Sequence, residues 1–262
     1  MRYARLRAPN GSTSFVRIVG TMAYRLDAAP WTSPAPPALG RTTAHPFGED
    51  DLACPVTPTK ILCVGRNYAA HAKEMGGEVP KEPLLFLKPP SSLVGPGGRV
   101  VLPRASEKVE HEAELGVVIG KRAKDVVPEN ALAHVFGYTS VCDVTARDLQ
   151  KKDGQWTRAK GFDTFCPVGP FVETEFDPKS ARIVCRVNGQ VRQDGTTAQM
   201  IFDVPALVAY ASAAMTLEPG DLLVTGTPEG VGPLAPGDRL EVEITSGLGQ
   251  SLGVLRERVT AS

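Results

Sequence analysis

Three groups of residues and one lone lysine have the types and spacing to do chemistry. The first is Val109-Glu110-His111-Glu112-Ala113-Glu114-Leu115-Gly116-Val117-Val118-Ile119-Gly120, where crowded acid gives way to an apolar, β-branched run. This pattern predicts a strand carried into a core. Side chains alternate along a strand, so Glu110, Glu112 and Glu114 would share one face, and His111, Ala113 and Leu115 the other. Two carboxylates about 5 Å apart at an effective dielectric near 20 repel by roughly 3 kcal/mol, a large part of a domain's stability of about 5–15 kcal/mol. If the strand is buried, something cationic should sit between them. If its start is exposed, water screens the repulsion and nothing need be bound. The second group is His71 and Glu74, spaced i, i+3 in a helical segment, Ala69–Met75, that ends at Gly76-Gly77. A carboxylate on one imidazole nitrogen fixes the tautomer and raises basicity at the other, as a general base requires, although such pairs also arise on any exposed helix. The third is Gly226-Thr227-Pro228-Glu229-Gly230-Val231-Gly232. Its glycines either turn backbone N–H groups toward an anion or simply close a hairpin. No Gly-Lys-Ser/Thr follows, so it is not a phosphate-binding P-loop. Lys160, between Ala159 and Gly161-Phe162, is either partly desolvated or reaches to water.

Short strands must position these groups. Lys60–Val64 leads into Gly65-Arg66-Asn67-Tyr68, and Leu84–Leu87 into Lys88-Pro89-Pro90. Tyr138–Val144 carries Asp143 at its polar end. Thr145 would cap a helix over Thr145–Lys152 whose Arg147, Asp148, Gln150 and Lys151 read mostly as a solvated face. Phe165–Val172 and Ile183–Val187 are strands, with a tight hairpin at Asn188-Gly189. Asp203-Val204-Pro205 opens a core helix, Ala206–Met215, and two Pro-Gly-Asp turns launch Leu222–Thr225 and Arg239–Ile244. Many short strands, few helices, 26 Gly and 23 Pro predict a mainly β chain with a few helices (α+β), its mixed sheet rolled or barrel-like. Residues 1–55 have a different texture: short β pieces (Ser14–Val19, Thr21–Arg25), then an irregular Pro/Ala/Thr/Gly-rich connection from Ala29 to Pro46. They read as a small N-terminal β subdomain ahead of a larger domain over 56–262.

Composition excludes several classes. Hydrophobic residues at 42% and charged residues at 22% place the chain among soluble globular proteins. Lys+Arg and Asp+Glu both number 29, so no global field attracts nucleic acid or an anionic membrane. No run of about 18 apolar residues predicts a membrane span, and the basic N-terminus has no apolar stretch behind it to make a secretory signal. The five cysteines form no CxxC, which fits reduced thiols in a cytoplasm, with Cys142 a core thiol.

Taken together and in this order, the motifs resemble the fumarylacetoacetate hydrolase family. The matching text is Gly65-Arg66-Asn67-Tyr68-Ala69-Ala70-His71-Ala72-Lys73-Glu74, Phe86-Leu87-Lys88-Pro89, His111-Glu112-Ala113-Glu114-Leu115-Gly116, Asp143-Val144-Thr145-Ala146-Arg147-Asp148-Leu149-Gln150, Lys160-Gly161-Phe162-Asp163 and the Gly226–Gly232 segment. The resemblance implies a rolled β-sheet, usually in a homodimer, and a divalent ion held by Glu112, Glu114 and Asp143. Three carboxylates with no Cys or His suit a hard cation, Mg²⁺ or Mn²⁺. His111 should point away from the ligand face, and Glu110 is not a motif ligand. The implied substrates are small 2-oxo acids that pass through an enolate stabilised by the ion and by Lys160. His71, held by Glu74, would be the base for hydrolysis, and Arg66, Lys88, Arg147, Gln150 and Thr227 would bind substrate. The expected activity is acylpyruvate hydrolysis or oxaloacetate decarboxylation. The alternative is an isomerase or decarboxylase of 2-hydroxyhepta-2,4-diene-1,7-dioate-type substrates from aromatic catabolism. A non-catalytic metal- or ligand-binding protein is the reading from another class, and the intact His71–Glu74 pair speaks against it.

Overall fold

Residues 1–32 and 44–262 are described by the computed structural model; the centre of the expected irregular connection, residues 33–43, lies outside the described residues. Strands dominate and form mixed sheets. In the largest sheet Ala113–Ile119 lies between Val135–Cys142 and Leu222–Val224, and Ile61–Gly65 pairs in parallel with Leu222–Val224. The sheet runs on through Cys166–Glu173 to Arg2–Arg7, Thr13–Val19 and Met22–Arg25, so the N-terminal strands extend it. Its ends, His45–Pro46 and Leu84–Lys88, do not meet, so the sheet is rolled without closing into a barrel. A second sheet has the order Gln190–Thr196, Arg182–Val187, Arg239–Thr245, Ser251–Ala261, Arg99–Leu102.

Packing of these two sheets explains the apolar run after Glu114. Every residue of Ala113–Ile119 is buried. Leu115, Val117 and Ile119 face the second sheet, where they meet Ile183, Cys185, Val242, Ile244 and Leu255. Val118 turns the other way, onto Val141, Val168, Ile61 and Val224. A strand covered on both faces loses the apolar–polar alternation of a half-exposed one. Helix Val204–Ala214 caps the core, with Asp203 accepting from the Ala206 amide at 3.0 Å.

The structure departs from the expected course beside the acidic stretch. The strand breaks at Glu112: Val109–His111 pairs with Thr145–Ala146 and Gly232–Pro233, whereas Ala113–Ile119 belongs to the large sheet. Thr145 therefore lies in a strand and does not cap a helix; its hydroxyl donates to the Asp143 carbonyl at 2.9 Å, and the helix runs Arg147–Asp153. On strand Ser251–Ala261, Glu257 points inward with Leu255 and Val259 and is only 3% exposed. Neither of its oxygens meets a donor in good geometry among the described residues. Burial pushes this carboxyl up to about 9, against the weaker pull of the Gly98 backbone beside it.

Candidate active site

The corner at Glu112 assembles the acidic residues. Ala113 pairs with Cys142, which puts Glu112 and Asp143 opposite each other where both chains leave the sheet, and the Asp143 amide donates to the Glu112 carbonyl at 2.8 Å. Glu114 follows on the same strand face as Glu112. Oxygens of Glu112, Glu114 and Asp143 all lie within 4.8 Å of one another, and the three residues are buried.

Burial makes the repulsion foreseen from the spacing severe, and buried cations answer it. Lys160, at the end of the short helix Thr157–Lys160, donates to Glu112 Oε2 at 2.7 Å and to Asp143 Oδ2 at 2.6 Å, with its ammonium 5.0 Å from the Phe86 ring centroid. Of its two possible environments it takes the desolvated one, at 2% exposure. Arg147 is not on a solvated face. Its Nε donates to Glu110 Oε2 at 2.7 Å, one terminal nitrogen to Gln150 Oε1 at 2.6 Å and the other to Glu112. Lys88 donates to Asp143 Oδ1 at 2.5 Å and the Val144 carbonyl at 3.2 Å. Burial works against charge on Glu112, but Lys160, Arg147 and His71 outweigh it and hold this carboxyl below the usual range. Glu114 goes the other way: burial, then Asp143 and Glu112, push it well above that range. Among the described residues Glu114 has no cationic side-chain partner and accepts only from the Gly226 amide.

Glu110 is also paired with the exposed Lys108 at 3.1 Å, so among the described residues Glu110, Glu112 and Asp143 each have a cationic partner and Glu114 has none. This unpartnered acid and the all-oxygen donor set fit a hard divalent cation. One such ion would leave the site with an excess positive charge, the sign that a carboxylate substrate requires.

Across the cavity, helix Ala69–Glu74 presents His71, which is 5% exposed. Its Nδ1 lies 3.0 Å from Glu74 Oε2, and Glu74 Oε1 accepts from the Gly230 amide at 3.0 Å. The amides of the Gly226–Gly232 loop do turn toward anions, then, and both anions are the protein's own carboxylates. Asn67 fastens the approach to the helix, donating to the Phe202 and Thr225 carbonyls at 2.9 and 2.8 Å. Arg66 is held in the left-handed region (φ 57°) and has no ion-pair partner among the described residues.

A cavity of about 150 Å³ brings together Arg66, His71, Glu112, Glu114, Arg147, Gln150, Lys160 and Thr227. Lys88 and Asp143 are not part of its lining, and Glu74 stands behind His71. Val64, Met75, Phe86 and Trp156 give the cavity an apolar side that the sequence reading did not single out. Trp156 packs edge-on to Phe86 and against Gly65, where a Cβ would come within 2.7 Å of its ring. His111 points away from the ligand face, its Nδ1 3.1 Å from Gln193 Oε1.

Residues 60–260 match the family described as fumarylacetoacetate (FAA) hydrolase, C-terminal. The chain belongs to the fumarylacetoacetate hydrolase family. It is 49% identical over 196 residues to a mitochondrial oxaloacetate decarboxylase of Dictyostelium discoideum, covering 72% of this chain and 90% of that one. The crystal structure of a 5-carboxymethyl-2-hydroxymuconate delta-isomerase from Mycobacterium smegmatis superposes with a TM-score of 0.88 at 39% identity, covering 100% of both chains. A maleylpyruvate hydrolase from Sphingobium sp. SYK-6, in complex with manganese(II) and pyruvate, superposes with a TM-score of 0.81 at 33% identity, again over 100% of both. Family members similar to this chain thus include a decarboxylase, an isomerase and a hydrolase. No helix among the described residues is long and apolar enough to cross a membrane.

Proposed function

We propose that this chain is a divalent-cation-dependent enzyme that cleaves a C–C bond of short 2-oxo acids, as an oxaloacetate decarboxylase or acylpyruvate hydrolase. The observation that carries the reading is an acidic triad whose Glu114 has no cationic partner among the described residues, with Glu112 and Glu114 in the wall of a cavity that also holds Lys160, Arg66 and His71, the last backed by Glu74. Mg²⁺ or Mn²⁺ held by Glu112, Glu114 and Asp143 would supply positive charge beside the 2-oxo oxygen and the adjacent carboxylate. Lys160 adds a fixed donor where the oxyanion develops. Arg66 is free to pair with a substrate carboxylate and Gln150, held in place by Arg147, to bind a substrate oxygen, while Thr227, whose one proton goes to the Ala113 carbonyl, shapes the cavity wall beside them.

For oxaloacetate, the bond from C3 to its carboxyl carbon breaks, CO₂ leaves, and the electron pair remains as the pyruvate enolate, which takes a proton at C3. For an acylpyruvate, the free ring nitrogen of His71 takes a proton from water, whose oxygen attacks the distal carbonyl. The C–C bond then breaks to give a carboxylic acid and the same enolate. The isomerase alternative draws support from the full-length likeness to the M. smegmatis enzyme. Pyruvate release from oxaloacetate, acetylpyruvate and longer acylpyruvates, with and without Mg²⁺ or Mn²⁺, tests the reading. Cation-dependent release supports it and the preferred substrate chooses the reaction. Silence on the panel with turnover of a 2-hydroxydienedioate favours the isomerase, and silence on both favours a binding protein.

A further inference from the structure

Gln193, on strand Gln190–Thr196, is 1% exposed and uses its whole amide. Its Oε1 accepts from the Ala113 amide at 3.0 Å and lies 3.1 Å from His111 Nδ1. Its Nε2 donates to Thr227 Oγ1 at 2.7 Å and to the Pro228 carbonyl at 2.9 Å. The amide orientation follows from these partners, because turning it over would set its NH₂ against the Ala113 N–H and its oxygen against the Pro228 carbonyl. Ala113 separates Glu112 from Glu114, and Thr227 lines the cavity. The loop lies directly on this strand: a Cβ at Gly230 would come within 2.2 Å of the Arg192 carbonyl oxygen, and one at Gly195 within 2.5 Å of Pro228.

We propose that Gln193 is a positioning residue that sets the gap between the acidic strand and the Gly226–Gly232 loop, and so sets where Thr227 stands in the cavity wall. Thr227 Oγ1 donates to the Ala113 carbonyl at 2.8 Å and accepts from Gln193, so both its proton and its position are fixed. The same loop reaches Glu74 through the Gly230 amide. Gln193 therefore links the acidic strand to the support of His71 by one hydrogen-bonded path. This inference rests on the site proposed above.

Gln193→Glu tests it, because a carboxylate keeps the acceptor side toward Ala113 and His111 and loses both donations to the loop. With Mn²⁺ as the cation and pyruvate as the probe, calorimetry should show Mn²⁺ affinity within about threefold of wild type and pyruvate affinity lower by about tenfold, as for a stretch of cavity wall moved away from the bound anion. KM for oxaloacetate should rise more than kcat falls, and the Gly230 amide should exchange its hydrogen faster. Gly230→Ala, which pushes the loop off the strand from the other side, should weaken pyruvate in the same way and serves if Gln193→Glu does not fold. Unchanged pyruvate affinity and Gly230 exchange would overturn the proposal. So would a fall in melting temperature and Mn²⁺ affinity with pyruvate binding and KM intact, since that is the mark of a structural role only. If wild type binds no pyruvate, the functional reading fails instead, and Gly230 exchange still decides whether Gln193 places the loop.

Discussion

Replacing Glu257 with Gln isolates a buried carboxyl far from the acidic triad. In the folded chain this group titrates near 9, against an ordinary value of 4.5. The folded state therefore holds the proton more tightly than the unfolded chain between those values. Its contribution to stability is complete below pH 4.5 and is lost as pH rises toward 9. Each unit of pH within that window costs about 1.4 kcal/mol. From pH 5.5 to 8.0 wild type should lose about 3 kcal/mol through this one group, whereas Glu257→Gln, neutral throughout, loses nothing by this route. At about 2–4 °C per kcal/mol for a chain of this size, the margin by which the variant melts above wild type should be roughly 6–12 °C wider at pH 8.0 than at pH 5.5. Urea unfolding followed by circular dichroism at the two pH values measures the difference directly. Parallel pH profiles for the two proteins would refute the reasoning, because they would mean that the carboxyl is ionised and paired in the fold.

Three further outcomes are expected. Glu114→Ala should abolish Mn²⁺ binding, measured by calorimetry, and pyruvate release together; substantial turnover in that variant would sink the ligand assignment. His71→Ala should cut acylpyruvate hydrolysis by about 10²–10⁴-fold and oxaloacetate decarboxylation much less, because the latter needs no activated water. Equal, small losses on both substrates would tell against His71 as base. Lys160→Met leaves Glu112 and Asp143 without their shared ammonium and should destabilise the cation-free protein by roughly 3–5 kcal/mol. Mn²⁺ should raise its melting temperature more than that of wild type, and an equal or smaller rise would contradict the assignment of Glu112 and Asp143 as carboxylates that a cation relieves.

Much of the candidate site was legible because its motifs are local text. The i, i+3 spacing brings His71 to Glu74, and the i, i+2 spacing sets Glu112 and Glu114 on one face. What joins the motifs is non-local and leaves no such trace. Arg147 sits in a polar helical stretch and looks solvated until the pairing of Val109–His111 with Thr145–Ala146 brings Glu110 and Glu112 to it. The turn of the chain at Glu112 is invisible because strand-forming residues continue on both sides of it. Gln193 lies in a polar hairpin, and only the stacking of the Gly226–Gly232 loop on its strand buries it. Strand content could be read from the many short apolar segments and turns. Whether the sheet closes could not, because that depends on two edge strands, His45–Pro46 and Leu84–Lys88, that never meet.

The two halves of the site are anchored very differently. The acidic triad stands where deeply covered strands end, whereas His71 and Glu74 ride on a six-residue helix held to the loop through the Gly230 amide. On the function proposed above, changes within residues 69–77 would alter where a bound substrate gains or loses a proton while leaving the acidic triad as it was. This separation makes the scaffold evolvable. A short segment could then be rewritten without rebuilding the most costly buried charges of the fold.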